Sequence, residues 1–243
     1  MRWAQLLFTQ GFGTRRECAA LLHAGRVRHA GRIVEDGDED IDPAGLEFEV
    51  EGKAWRYHDR ALLMLHKPAG YECSTRPGAW PGVLSLLPLP LRRRGVQSVG
   101  RLDQDTTGLL LLTDDGPLLH RLTSPKHHVA KVYRATLKHP LSDEQVARLL
   151  EGVVLDDDPK PVRAAAARRL DDLSLELTLT EGKYHQVKRM VAAVGNRVEA
   201  LHRSRFGALE LPADLGSGQW LWVEDPAAIF GGSRAEPATA PVR

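Results

Sequence analysis

Apolar and polar residues alternate at Leu46, Phe48 and Val50 against Glu47 and Glu49. That period of two predicts a half-exposed strand. Leu173, Leu175, Leu177 and Leu179 alternate in the same way with Ser174, Glu176, Thr178 and Thr180, predicting a strand with one buried face. Two apolar runs lack alternation, Leu62-Leu63-Met64-Leu65 and Leu109 to Leu112. They are short and end in polar or turn residues, so they read as buried strands. Val129 to Leu137 suits another strand, and Val27-Arg28-His29 with Arg32-Ile33-Val34 a hairpin about Ala30-Gly31. Helices show at their caps. Thr14 with Glu17 forms a capping box, predicting a helix from Arg15 to near His23 with Gly25 beyond its end. Asp115-Gly116-Pro117 opens a short helix through His120, and Ser142 to Leu150 a capped one. Glu181-Gly182-Lys183 turns the chain into a helix running to Val194, stopped by Gly195.

These elements divide into two units of α+β character, residues 1–58 and 59–230. The polar stretch Glu51 to Arg60 reads as the linker between them. Gly231 to Arg243 carries Gly, Ala, Pro and Ser without periodicity and is expected to be disordered. Ser74 to Gly95 is rich in Pro and Gly and contains Arg92-Arg93-Arg94, expected to be a solvated face, with phosphate contact as the sharper reading.

Charge changes the picture by its distribution. The formal net charge is only +1, yet Arg15, Arg16, Arg26, Arg28 and Arg32 stand against the single acid Glu17, and six acids then crowd into Glu35 to Asp42. A near-neutral chain can thus carry a basic face. No window resembles a membrane span, and the first residues lack the apolar core of a signal peptide. Cys18 and Cys73 have no ligand-like spacing, so neither a disulfide framework nor a zinc site is expected. A reducing, cytoplasmic setting follows.

The candidate chemistry centres on Gly100-Arg101-Leu102-Asp103-Gln104-Asp105-Thr106-Thr107-Gly108, which feeds the buried Leu109 run. A carboxylate there can be held rigidly beside Arg101 and act on a substrate. It can equally be a turn former, since Asp and Thr bond their own backbone in turns. On a wheel of about 100° per residue, Val187, Met190, Val191 and Val194 share one helix face, and His185, Lys188 and Arg189 the opposite one. That basic face meets a cleft or solvent. Tyr133, in Lys131-Val132-Tyr133-Arg134, can stack a splayed-out base or sit in the core with its hydroxyl bonded. Lys126-His127-His128 lacks an acidic partner at metal-ligand spacing and reads as solvated or phosphate-facing.

Gly100-Arg101-Leu102-Asp103 with Asp105-Thr106-Thr107-Gly108-Leu109 resembles the signature of the RsuA/RluB/RluE/RluF family of pseudouridine synthases. His66-Lys67-Pro68-Ala69-Gly70, Lys131-Val132-Tyr133 and Gly182-Lys183-Tyr184-His185-Gln186-Val187-Lys188-Arg189-Met190 are similar to its other motifs, in its order. Residues 1–58 resemble its N-terminal S4 RNA-binding domain, through Thr14-Arg15-Arg16-Glu17 and Gly25-Arg26-Val27. Tyr71-Glu72-Cys73-Ser74-Thr75 and Thr123-Ser124-Pro125 look most like the RsuA branch, which acts on 16S ribosomal RNA.

The resemblance implies a small S4 domain followed by a catalytic domain on a mostly antiparallel sheet with flanking helices. Such enzymes break the N1–C1′ bond of a uridine, turn the base and rejoin it through C5. No metal or cofactor is implied. Asp103 would be the catalytic carboxylate, as nucleophile at C1′ or base at C2′, with Asp105 supporting the loop. Lys188 would pair with Asp103, Tyr133 would stack on the base, and Arg101 would hold the extruded nucleotide. Lys183, His185 and Arg189 would meet RNA phosphates, and Arg15, Arg16, Arg26 and Arg28 would grip the RNA backbone from the S4 unit. The implied partner of the monomer is 16S rRNA, free or within a partly assembled small subunit. A 23S rRNA target and a non-catalytic S4-type RNA-binding or ribosome-assembly protein are the alternatives.

Overall fold

The computed structural model describes residues 1–156 and 158–232. The tail expected from Gly231 onward falls mainly outside these residues. The first unit opens with α1 (Trp3–Thr9), which no sequence pattern announced, and α2 (Arg15–His23). Both halves of the capping box form: the Glu17 amide donates to Thr14 Oγ1 at 3.2 Å, and the Thr14 amide to Glu17 Oε2 at 2.6 Å. Then come β1 (Val27–His29), β2 (Arg32–Ile33), β3 (Glu47–Val50) and β4 (Lys53–Arg56), an antiparallel sheet in the order β2-β1-β3-β4. Strand β4 corrects the linker expected over Glu51 to Arg60. The chain turns at Glu51-Gly52, both at positive φ, and pairs back on β3. It is an edge strand, mostly exposed, with Lys53 and Arg56 in solvent and Trp55 packed against the core. Trp3, Leu6, Leu7, Leu22, Val27, Phe48 and Val50 form the core of this unit.

The second unit contains β5 (Leu62–Lys67), α3 (Leu89–Arg93), β6 (Gln97–Ser98), β7 (Thr107–Thr113), α4 (Gly116–Thr123), β8 (Lys131–Leu137), α5 (Asp143–Glu151), β9 (Val153–Leu155), β10 (Asp158–Val162), β11 (Ala166–Asp171), β12 (Ser174–Leu179), α6 (Gln186–Ala193), β13 (Val198–Phe206), β14 (Leu209–Glu210) and β15 (Trp220–Trp222). The main sheet runs β11-β12-β8-β13-β7-β5-β15, with β14 beside β13 and β6 beside β7. Every pairing is antiparallel except β7 with β13. Strands β5 and β7 each carry four consecutive apolar residues because both faces are covered there. Leu62, Met64, Leu109 and Leu111 enter one core, and Leu63, Leu65, Leu110 and Leu112 another. A third core takes Leu175, Leu177 and Leu179 of β12 with Val187, Met190, Val191 and Val194, as the wheel requires.

The expected solvated face at Arg92-Arg93-Arg94 holds only in part. The Arg94 side chain is 3% exposed and pairs with Asp114 at 2.8 Å. It donates to Gln10 Oε1 and the His58 carbonyl, both at 2.9 Å, and to the Asp59 carbonyl at 3.1 Å. A run of three arginines hides one that is turned inward, joining the two units. His58 adds a ring stacked on Trp222, with centroids 3.7 Å apart.

Candidate active site

The Asp103 loop lies between β6 and β7 and is anchored at both ends. Leu102 is buried before it, and the four leucines of β7 are fully buried after it. The Thr106 amide donates to the Asp103 carbonyl at 3.1 Å, so the loop is also a turn. Beneath it lies Lys67, with no exposed surface. Its Nζ donates to the carbonyls of Thr106 (2.8 Å), Pro68 (3.0 Å) and Gln104 (3.2 Å). Burial pushes the Lys67 ammonium below its usual range, while the Cys73 thiol and the Asp105 and Asp103 carboxyls draw it back up. Three carbonyls on one buried cation make the loop backbone hard to displace.

Asp103 points into a cleft of about 500 Å³ lined also by Arg101, Lys131, Tyr133, Lys183, His185 and Arg203. Lys188 Nζ lies 3.2 Å from Asp103 Oδ2, and His185 Nε2 lies 3.4 Å from Oδ1. Lys188 also bonds both oxygens of Asp105, at 2.7 and 2.9 Å. Asp105 is thus a full partner of the lysine, beyond the loop support expected of it. Partial burial raises the Asp105 carboxyl, but the hydrogen bond and charge of Lys188 outweigh it and hold it below the usual range. Burial opposes the charge on Lys188, and the two aspartates reverse that and raise it.

Arg101 is exposed at the cleft, and among the described residues Asp103 pairs with Lys188 and His185 instead. The backbone explains this: Arg101 and Asp103 flank the inward-turned Leu102 in an irregular segment, whereas α6 delivers its cations across the cleft. Tyr133 is half-buried on β8 and lines the same cleft. The sequence reading started the last helix too early. It begins at Gln186, after His185 at φ 48° in the left-handed region. The buried Gln186 side chain shapes the preceding turn, accepting from the Lys183 amide at 2.8 Å and donating to Glu181 at 2.9 Å. The His185 ring stacks on Tyr184, and Arg189 donates to the Tyr184 carbonyl at 3.1 Å. Arg189 therefore braces the start of α6. Arg15, Arg16, Arg26 and Arg28 are all exposed on the first unit. Lys126, His127 and His128 are exposed as well.

Sequence reasoning missed Arg203 on β13 and gave Lys131 no role. It found no pattern in the region around β13, because that strand puts Glu199, His202, Arg203 and Arg205 among its apolar residues. Gly108 marks the place where β13 comes close. Its φ is +108°, and a Cβ there would lie 2.3 Å from the Arg203 carbonyl oxygen. Among the described residues no three His, Cys, Asp or Glu side chains gather as a metal ion would need.

The loop carboxylate, the cleft tyrosine and the α6 lysine fall within residues 61–193, which match the family model for RNA pseudouridylate synthase. The chain is 45% identical over 214 residues to the ribosomal small subunit pseudouridine synthase A of Escherichia coli, covering 85% of this chain and 92% of that protein. It is 40% identical over 232 residues to the protein of the same name from Yersinia pestis, covering 94% and 98%. A crystal structure of a pseudouridylate synthase superposes with a TM-score of 0.66 at 36% identity, covering 94% of this chain and 98% of that one. A site built from the residues of the matched span, on a fold shared across nearly the whole chain, places this protein in the RNA pseudouridylate synthase family.

Proposed function

We propose that this enzyme converts a specific uridine of 16S ribosomal RNA to pseudouridine, with Asp103 as the acting carboxylate. The observation that carries the reading is the pairing of Asp103 with Lys188 and His185 at the wall of a cleft that also holds Tyr133. A uridine stacked in a helix cannot present C1′, N1 and C5 to one carboxylate, so the nucleotide must be extruded at a cost of a few kcal/mol. Tyr133 offers the ring on which the base stacks, and Arg101 at the rim takes the nucleotide's backbone. Lys188 keeps the carboxylate pointed into the cleft, and Lys183 and His185 add positive charge for phosphate. Arg189 contributes by holding the α6 turn, and lies where it can also meet the RNA.

Residues 1–58 act as an S4-like docking unit, and residues 59–230 as the catalytic domain. The exposed Arg15, Arg16, Arg26 and Arg28 grip the RNA backbone, a contact that is salt-sensitive and weakly selective. The small-subunit target follows the names of the relatives aligned over most of both chains. Carbodiimide-primer extension on rRNA from a deletion strain tests it. One 16S pseudouridine disappears and returns with the wild-type gene but not with Asp103→Asn. An unchanged map removes the function, and a loss from 23S rRNA keeps the chemistry and changes the target.

A further inference from the structure

Arg203 is 2% exposed and lies on the cleft wall. Its Nε donates to the Leu109 carbonyl at 2.8 Å. Its Nη nitrogens have no acceptor among the described residues, and Nη2 is wholly enclosed. No carboxylate pairs with it among them. The guanidinium carbon instead lies 5.2 Å from the centre of the Phe206 ring and 6.0 Å from that of Tyr133. A second cation, Lys131 Nζ, lies 5.6 Å from the same Phe206 ring. Burial depresses the Lys131 ammonium, and the Arg203 charge depresses it further. Two like charges face one cleft between aromatic rings.

A buried cation without a partner is costly to keep. The missing partner is therefore sought in what the cleft receives. Its flat aromatic walls suit a planar ring better than a tetrahedral phosphate. In the isomerisation the N1–C1′ bond breaks and its electron pair leaves with the base, as an anion spread over N1, O2 and O4. C5 then bonds to C1′, one proton leaves C5 and one joins N1, so nothing is gained or lost. We infer that Arg203 donates from Nη1, its unpartnered nitrogen that is not enclosed by the protein, to a carbonyl oxygen of the target uracil, holding the detached base and stabilising its negative charge while it turns. Lys131 raises the positive potential beside it. This role rests on the pseudouridine synthase reading.

Single-turnover and steady-state assays with a 16S rRNA fragment compare wild type, Arg203→Met and Arg203→Lys. Removing a donor aimed at developing negative charge lowers kcat by about 10²–10³-fold. RNA affinity comes mainly from backbone contacts, so KM stays within a few-fold. Arg203→Lys recovers part of the rate. Millimolar guanidinium ion speeds Arg203→Met but not wild type, with sodium chloride at equal ionic strength as the control. The melting temperature of Arg203→Met stays level or rises, because an unpaired buried charge has been removed. The inference is overturned if wild type turns over and Arg203→Met keeps its kcat, if the loss lies in KM, or if guanidinium fails to rescue. An Arg203→Met protein that does not fold marks the residue as structural and overturns it as well, as does Arg203→Lys folded, at wild-type rate and insensitive to uracil carbonyl replacement by sulfur. A wild type that makes no pseudouridine removes the parent function and this role together.

Discussion

Lys188 divides its charge between two carboxylates, and the division has measurable consequences. Its shorter bonds go to Asp105, and the longer one to Asp103. A hydrogen bond to a charged group contributes about 1.5–3 kcal/mol. Lys188→Met therefore lowers kcat by roughly 10- to 100-fold, with both aspartates intact. The Asp105 carboxyl, held low by the lysine, rises toward its ordinary value, which a ¹³C-detected NMR titration reads directly. The sign for stability follows from linkage. A depressed carboxyl stabilises the fold at neutral pH and loses that contribution as pH falls through the acidic carboxylate range. Lys188→Met thus flattens the acid-side decline of wild type, measured by urea unfolding. At this scale the sequence was most legible where a motif names a residue type. The family pattern singled out Asp103, Tyr133 and Lys188, where spacing left alternatives open, and Lys188 does lie 3.2 Å from Asp103. Arg203 could not be found, because it is a buried cation at an inward position of a strand whose charged residues break the apolar alternation.

Elements with one solvated face, or with both faces buried, were readable. Strand β12 alternates, β7 carries four consecutive buried leucines, and of the four residues the wheel assigned to the buried face, Val187, Met190 and Val191 lie in α6 and Val194 at its C-cap. Two edge strands were not readable, although the hairpin strand β2 was. Strands β4 and β11 are mostly exposed and carry charges that solvate them. Helix α1 has only one buried face over two turns and no capping side chain to announce it. The parallel pairing of β7 with β13 brings the backbones so close at Gly108 that any side chain collides. Overpacking and a positive φ each cost about 1–3 kcal/mol. Gly108→Ala therefore destabilises by about 2–6 kcal/mol in urea unfolding, and moves Arg203 as it does so. Activity falls further than the folded fraction alone accounts for.

Across the whole molecule, the buried strands that return at Leu62 were legible, and they fall in a sheet separate from that of β1 to β4. The way the units join was not. A linker was expected where a fourth strand forms, and a solvated arginine where a buried ion pair sits. Nothing in local sequence marks Gln10, His58, Arg94 and Asp114 as neighbours, because their contacts span up to 84 residues. Removing one partner of a buried pair costs about 3–5 kcal/mol. Arg94→Met is expected to loosen the junction, so that limited proteolysis cleaves near His58 at lower protease dose while each unit keeps its own core. Unchanged cleavage would show that the His58–Trp222 stack holds the junction alone.

The inward-turned Arg94 also bears on how a target is chosen. With the junction locked, the span between the exposed arginines of α2 and β1 and the carboxylate of Asp103 is a constant of the molecule. The protein can then act as a ruler laid along folded RNA. On the proposed docking of RNA by those arginines, a uridine would qualify by its distance from them, and the bases around it would need little reading. Specificity of this kind is stored in the stiffness of a joint.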